Sequence, residues 1–336
     1  MKKKILVTGA EGFIASHLVE ALLKKNFHVK ATCLYNSFDN LGWLKSINNN
    51  LKKNLEIIKL DIRDPHLINR VSVDCNYIFH LAALVGIPYS YVSPHSYVET
   101  NIIGTLNLLE SCRQKGSKIK LFVHTSTSEI YGNSLKQPLD ENFSVQAYSP
   151  YSATKIGADQ LALSYQRSFD LPITVIRPFN TFGPRQSLRA IIPTVITQAI
   201  QNDVIRIGST KPTRDFTFID DTISGFLSVL KTDKNKINGE IINLGTGYEI
   251  SIEEVINIIA KKMKKKIRIE NEKIRLRPKT SEVFRLCSDN SKSLKLLNWS
   301  PKFKGRKGLE IAIEKTIKWY LKRENIELFK HNNYIV

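Results

Sequence analysis

Long hydrophobic runs are missing from this 336-residue chain. No stretch approaches the roughly 18 apolar residues that a membrane-spanning helix needs, so no membrane partner is expected. The opening run, Met1-Lys2-Lys3-Lys4-Ile5-Leu6-Val7, begins like a secretion signal, but Thr8, Gly9 and Glu11 end it far short of an h-region. It reads instead as a first β-strand, and the protein as cytoplasmic. Cysteine is scarce. Cys33, Cys75, Cys112 and Cys287 are scattered without a CxxC pair, which argues for a reduced protein with neither disulfides nor a zinc site. The histidines form no HExxH and no close pair with ligand spacing, so no metal is expected. Acidic residues are outnumbered 31 to 50, leaving a formal charge of +19. Such a charge can serve nucleic acid or an anionic membrane. Here, however, Lys, Asn and Ile are spread along the whole chain, as in Lys45-Ser46-Ile47-Asn48-Asn49-Asn50. The one dense cluster, Lys261-Lys262-Met263-Lys264-Lys265-Lys266, reads as a solvated helix end. Nucleic acid is therefore not an expected partner, although an anionic substrate still gains from the positive field.

The first half of the chain alternates short β-like runs with helical stretches. The runs are Lys4–Thr8, His28–Leu34, Leu55–Leu60, Tyr77–Ala82, Lys120–Thr125 and Ile173–Arg177, mostly bounded by Gly, Asp, Asn or Pro. Strands alternating with helices imply right-handed βαβ units and a parallel sheet. A first helix carries Phe13, Ile14, Leu18, Ala21 and Leu22 at helical spacing and should stop near Asn26 in a left-handed conformation. Ser149 is a candidate N-cap with Pro150 at the first helical position. Ser251 and Glu254 fit a capping box, and residues 305–322 a last amphipathic helix. The expected fold class is α/β, a Rossmann doubly wound parallel sheet with a smaller C-terminal α/β lobe. Residues 1–180 form the dinucleotide-binding domain and 181–336 mainly the second lobe, with room for part of the chain to return to the first. A ligand should bind at the carboxyl ends of the strands, between the lobes.

Gly9-Ala10-Glu11-Gly12-Phe13-Ile14-Ala15 lies between the first strand and the first helix. Glycines there allow a tight turn and close approach of a pyrophosphate, and the helix N-terminus offers free N–H groups. The spacing is GxxGxxA, one residue longer than the common GxGxxG. Gly9, Gly12, Phe13 and Ile14 are the candidate cofactor contacts. Asp61, with Ile62 after the third strand, is placed either to bond the adenine or to cap a helix. In His80-Leu81-Ala82-Ala83, the small residues following Leu81 would let a cofactor pass. The end of the second strand, Cys33-Leu34-Tyr35-Asn36, lacks both the acid that usually binds the adenosine ribose and an Arg for a 2′-phosphate. NAD is expected, with NADP also compatible.

Tyr151-Ser152-Ala153-Thr154-Lys155 puts Tyr and Lys four apart on one helix face. An ammonium beside a phenol favours the phenolate, which can then exchange a proton with a substrate hydroxyl. Together with the phosphate loop, these residues resemble the extended short-chain dehydrogenases/reductases, the NAD-dependent epimerase/dehydratase family. Further matching segments are Thr8–Ala15, Asp61-Ile62, His80–Ala83, Arg177-Pro178-Phe179-Asn180 and Arg214-Asp215-Phe216. The resemblance implies a Rossmann domain, a sugar-nucleotide lobe and a homodimer.

Within that family, Ser126-Thr127-Ser128-Glu129-Ile130-Tyr131-Gly132 resembles the 4,6-dehydratases. The resemblance gives Thr127 the sugar 4-hydroxyl and Glu129 the C5 proton, which becomes acidic once C4 is a ketone. The expected reaction is C4 oxidation, loss of water across C5–C6 and hydride return to C6. Ser128 departs from the dTDP-glucose dehydratase pattern, where an Asp stands, and resembles the GDP-mannose dehydratase pattern. Asn180, Arg214 and Arg277 match family positions near the diphosphate or nucleotide. Arg185 and Arg189 read as surface salt-bridging residues, and Tyr89 suits the sugar pocket or the core equally. The stretch Tyr35–Leu44 resembles the bacterial dehydratases of legionaminic-acid synthesis, which act on GDP-N-acetylglucosamine. The rivals are a UDP-glucuronate decarboxylase, which needs an Arg for the carboxylate, and a 4-epimerase, which has no need of Glu129. An RNA-binding relative would have no need of Tyr151, Lys155 or the phosphate loop.

Overall fold

The apolar, β-branched runs form strands where their spacing predicts them: β1 Lys4–Thr8, β2 His28–Cys33, β3 Leu55–Lys59, β4 Tyr77–His80, β5 Leu121–Thr125 and β6 Ile173–Pro178. The computed structural model describes residues 3–134 and 136–326. Met1 and Lys2 of the opening run, and residues 327–336 of the second lobe, lie outside them. Beyond β6 the strands shorten: β7 Asn180–Phe182, β8 Val204–Ile207, β9 Thr213–Phe218, β10 Ile241–Leu244, β11 Glu249–Ser251, β12 Arg268–Asn271 and β13 Arg285–Leu286.

Seven strands form one parallel sheet in the order β10-β6-β5-β4-β1-β2-β3. The order reverses beside β1, which makes the sheet doubly wound and opens a crevice at the carboxyl ends of β1 and β4. The Rossmann expectation is borne out. β10 joins this sheet after a long excursion through the second lobe. That lobe is built on β9, which pairs with β7, β11 and β13, and on the separate pair β8 and β12.

Both faces of the main sheet are covered, as a parallel sheet requires. Along β1, Ile5 and Val7 point into one buried cluster and Leu6 into another, following the two-residue period of a strand. The first cluster continues from Leu18 through Phe226 to Ile196, Ile256 and Ile313, so the two lobes share one core. The second holds Ile78, Phe122, Leu108 and Leu163. Each fully buried Leu, Ile or Phe contributes about 1.5–3 kcal/mol relative to exposure.

The helix boundaries also follow local chemistry. The helix Phe13–Lys24 gives way to Asn26 at φ +60°. Ser149 and Ser152 form a reciprocal capping box on Pro150–Phe169, and Ser251 and Glu254 one on Ile252–Met263. The lysine cluster falls at the C-terminal end of the latter, where cations favour the helix dipole. The last long helix spans Gly305–Tyr320. Among the described residues no helix is long and apolar enough to cross a membrane.

Candidate active site

The phosphate turn leaves β1 through Gly9, which sits at φ +65°. A Cβ there would lie 2.7 Å from the Ala82 Cα, so only glycine lets the turn press against the end of β4. The Thr8 hydroxyl ties the same two strands by accepting the N–H groups of Leu81 and Ala82. Thr8 also meets His80 Nδ1 at 2.8 Å, and His80 Nε2 meets Thr105 at 3.0 Å. Gly12 is the N-cap of the following helix and has no side chain to cap it. The first-turn N–H groups of Phe13 and Ile14 thus sit at a helix end suited to an anion. Ala83 continues this edge, half-buried. Ile62 is buried against Gly104. The Asp61 carboxylate is clamped by Arg63, whose Nε and Nη2 reach it at 3.0 and 2.6 Å, and it lies below the usual carboxylate range chiefly for that reason.

Tyr151 and Lys155 lie in the first turns of Pro150–Phe169, both buried. Lys155 Nζ donates to the Thr125 carbonyl at the end of β5, 2.6 Å away. Burial pulls the Lys155 ammonium down to about 8, with the Asp159 charge opposing. The lysine was expected to favour the Tyr151 phenolate, but burial is the larger effect. It pushes the phenol above the ordinary tyrosine range; the Thr127 hydroxyl opposes this and the Glu129 charge adds to it. One turn beyond Lys155, Asp159 continues the buried stripe. Its carboxylate accepts from Ser126 at 2.8 Å and from Arg177 Nε and Nη2 at 3.3 and 3.2 Å, and lies 3.2 Å from His124 Nε2. Burial would raise this acid, but His124, Arg177 and Lys155 hold it below its usual range. Tyr97 packs edge-on to Tyr151, and Tyr89 packs on Tyr97, so Tyr89 stands one ring away from the catalytic candidate.

Thr127, Ser128 and Glu129 follow β5 directly. Thr127 caps a 3₁₀ turn, its hydroxyl accepting the Glu129 N–H at 3.2 Å, and Ser128 is buried at the start of that turn. The Glu129 carboxylate is buried and gripped on both oxygens by Arg277, at 3.1 Å (Nη1 to Oε2) and 3.4 Å (Nη2 to Oε1). Burial works to raise it, yet Arg277 and Arg214 outweigh burial and hold it ionised. These arginines also line a cavity of about 280 Å³ walled by the second lobe, with Asn180, Gln186, Arg189 and Glu282. Asn180 Oδ1 and Gln186 Oε1 are buried there without a hydrogen-bond partner. Arg185 instead bonds Glu20 at 2.7 Å, the salt-bridging role expected of it. Arg189 is exposed, as expected, but it lies at the cavity and makes no ion pair among the described residues.

A family model for GDP-mannose 4,6-dehydratase matches residues 6–312. The chain belongs to that family. The expected kinship with the extended short-chain dehydrogenases/reductases is thereby borne out, and the protein is an enzyme of sugar-nucleotide chemistry. Among curated relatives, the dTDP-D-glucose 4,6-dehydratase of Dictyostelium discoideum is 37% identical, over 76% of this chain and 62% of that longer protein. The UDP-glucuronate 4-epimerase of Thermodesulfobacterium geofontis is 35% identical, over 97% of this chain and 98% of that one. Among solved structures, the UDP-glucuronic acid 4-epimerase from Bacillus cereus, in complex with UDP-glucuronic acid and NAD, superposes with a TM-score of 0.83 at 32% identity, over 94% of this chain and 98% of that one.

The structure brings Thr127, Ser128, Glu129, Tyr151 and Lys155 to one edge of the sheet, and Asn180, Arg214 and Arg277 to the adjoining cavity. Sequence reasoning missed the network around Asp159, although Asp159 stands four residues after Lys155, the spacing that had singled out Tyr151. It also missed that Arg277 reaches Glu129 across 148 residues of chain, a contact no local pattern announces.

Proposed function

We propose that this enzyme is an NAD-dependent 4,6-dehydratase of a nucleotide hexose, with GDP-N-acetylglucosamine as its substrate. The observation that carries the reading is Glu129: a carboxylate buried beside Tyr151 and held ionised by Arg277 and Arg214. A 4-epimerase needs no such second base. The fit of a dinucleotide rests on the uncapped helix N-terminus at Gly12 and on the turn that Gly9 presses against Ala82. Bound there, NAD supplies the electron-pair acceptor that takes a hydride from C4 and returns it at C6.

The rest is done by side chains. Tyr151 takes the proton of the sugar 4-hydroxyl as the phenolate, which a positive charge on Lys155 favours against the cost of burial, with Thr127 bonded to the same oxygen. The C4 ketone makes the C5 proton acidic, and Glu129 removes it. As the C6–O bond breaks, that proton passes from Glu129 to the departing hydroxyl, because Ser128 offers no acid. Arg214, Arg277 and Asn180 hold the diphosphate end in the cavity, where two arginines suit bidentate contacts to phosphate. The choice of base and sugar is supported by the resemblance of Tyr35–Leu44. The homodimer reading is supported by the family resemblance alone.

A second reading, 4-epimerisation of a nucleotide uronate, draws on the arginines of the cavity, which suit a carboxylate at C6. The test is incubation with GDP-, UDP- and dTDP-linked hexoses and uronates, following product mass. Loss of water from GDP-N-acetylglucosamine, with solvent deuterium at C5, is the expected result. Loss of carbon dioxide from a uronate, or epimerisation without change of mass, would overturn the dehydratase reading.

A further inference from the structure

The crevice beside β1 is where a dinucleotide's adenosine would lie, and the end of β2 bears no carboxylate there: its residues are Cys33-Leu34-Tyr35-Asn36. The structure brings one in from the phosphate turn. Glu11 reaches from that turn to the end of the neighbouring β2, and its Oε1 accepts the Leu34 N–H at 3.1 Å. Burial raises the Cys33 thiol, and the Glu11 charge adds to the rise, which places that carboxylate beside the last residue of β2. The other oxygen, Oε2, is buried without a hydrogen-bond partner.

The position is built rather than accidental. The Trp43 N–H donates to the Glu11 carbonyl at 3.0 Å, and the Ala10 N–H to the Thr32 carbonyl at 2.8 Å. Gly42 sits at φ +53°, where a Cβ would lie 2.6 Å from the Glu11 carbonyl oxygen and 2.8 Å from its Cβ. Glycine at 42 therefore lets the following loop close directly on Glu11. Burial raises the Glu11 carboxyl and the Leu34 N–H opposes it, as befits an acceptor short of donors. Two cations at the end of β3 and just beyond it are paired. Lys59 pairs with Asp39, and Arg63 with Asp61 and Glu99.

We propose that Glu11 accepts the adenosine ribose hydroxyls of the dinucleotide and selects NAD over NADP, taking the place of the acid absent from β2. Two vicinal hydroxyls are donors that match a carboxylate with an unused oxygen. A 2′-phosphate would bring negative charge against the same carboxylate. This assignment rests on the dinucleotide reading above.

The test is calorimetric titration of the whole chain, without sugar nucleotide, using NAD, NADP and 2′-deoxy-NAD. Charged hydrogen bonds of this kind correspond to roughly tenfold or more in affinity. The wild-type chain should bind NAD at least about tenfold tighter than either analogue. Glu11→Gln should weaken NAD and largely erase the penalty on NADP and 2′-deoxy-NAD. An unchanged NAD-to-NADP ratio in folded Glu11→Gln would overturn the assignment. So would a wild-type chain indifferent to the 2′-hydroxyl, a result that needs no variant to fold. A wild-type chain that binds neither dinucleotide would overturn the cofactor reading itself, and this assignment with it.

Discussion

The proposed redox pair and the proposed elimination base are built in different ways. Tyr151, Lys155 and Asp159 stand one helical turn apart on a single helix, locked against β5 and β6 through Thr125, Ser126, His124 and Arg177. Every member is buried in the part of the fold where a parallel sheet and its helices leave little freedom. Glu129 sits on a short 3₁₀ turn, and its partner Arg277 arrives from an irregular segment of the other lobe. In the proposed reaction, proton exchange with the sugar 4-hydroxyl would be anchored in the sheet, whereas C5 deprotonation would depend on a cross-lobe contact at the edge of the cavity. The arginine that holds the base ionised also lines the place where a diphosphate would bind. On the proposed reading, substrate binding and base strength would be coupled through one side chain.

The largest effects should come from removing the two groups themselves. Tyr151→Phe should cost about 10³–10⁴ in turnover, at the upper end for a positioned acid–base group, and should prevent any reduced nicotinamide from appearing. Glu129→Gln should cost about 10²–10³ in product formation while still allowing oxidation at C4. Reduced cofactor would then accumulate in a single-turnover absorbance trace. If both variants stall before reduction, the two regions do not divide the chemistry as described.

Smaller changes should move opposite limbs of the pH profile. Burial has pulled Lys155 down to about 8, and Asp159 opposes that fall. Asp159→Asn should lower Lys155 further, so its charge is lost at lower pH and the alkaline limb of kcat moves down. Arg277 acts in the other direction on Glu129, holding it below its usual range against burial. Arg277→Gln should let Glu129 take up a proton at higher pH, so the acidic limb moves up. Each shift should be about one pH unit, the equivalent of roughly 1.4 kcal/mol. Movement of the same limb in both variants would break the comparison, and unfolding is excluded by measuring the denaturation midpoint of each.

How much of this is legible in the sequence follows from the same contrast. Helix and strand periods write themselves into local spacing, so β1 to β6, the cap at Ser149 and the Tyr151–Lys155 pair can be read directly. Asp159 has the same spacing, but an Asp inside a helix ordinarily faces water; Arg177 and His124 from the neighbouring strands, with Ser126 and Lys155, make its burial tolerable. Arg277 was linked to the diphosphate by resemblance, and its grip on Glu129 is a fact of tertiary packing. Glu11 shows the limit most clearly. The absence of an acid on β2 was visible, but its replacement from the preceding turn required the fold.

The smallest expected effect separates stability from catalysis. Two helices open with the same device. The Ser149 hydroxyl accepts the Ser152 N–H at 3.1 Å, and the Ser152 hydroxyl accepts the Ser149 N–H at 3.0 Å. In the second lobe, the Ser251 hydroxyl accepts the Glu254 N–H at 3.2 Å, and Glu254 returns the bond to the Ser251 N–H at 3.3 Å. Replacing either serine by alanine leaves first-turn N–H groups without their side-chain acceptor and should cost about 1 kcal/mol, read from denaturant unfolding. The consequences for turnover should differ. Ser149 stands two residues before Tyr151, so fraying of that turn displaces the phenol from the 4-hydroxyl, and Ser149→Ala should lower kcat severalfold. Ser251 opens a helix whose buried side joins the shared core at Val255, Ile256 and Ile259, remote from the reacting atoms. Ser251→Ala should leave kcat at the wild-type value under conditions where both variants are fully folded. Equal losses of kcat would mean that the rigidity of the redox helix is set by the whole molecule rather than by its own first turn.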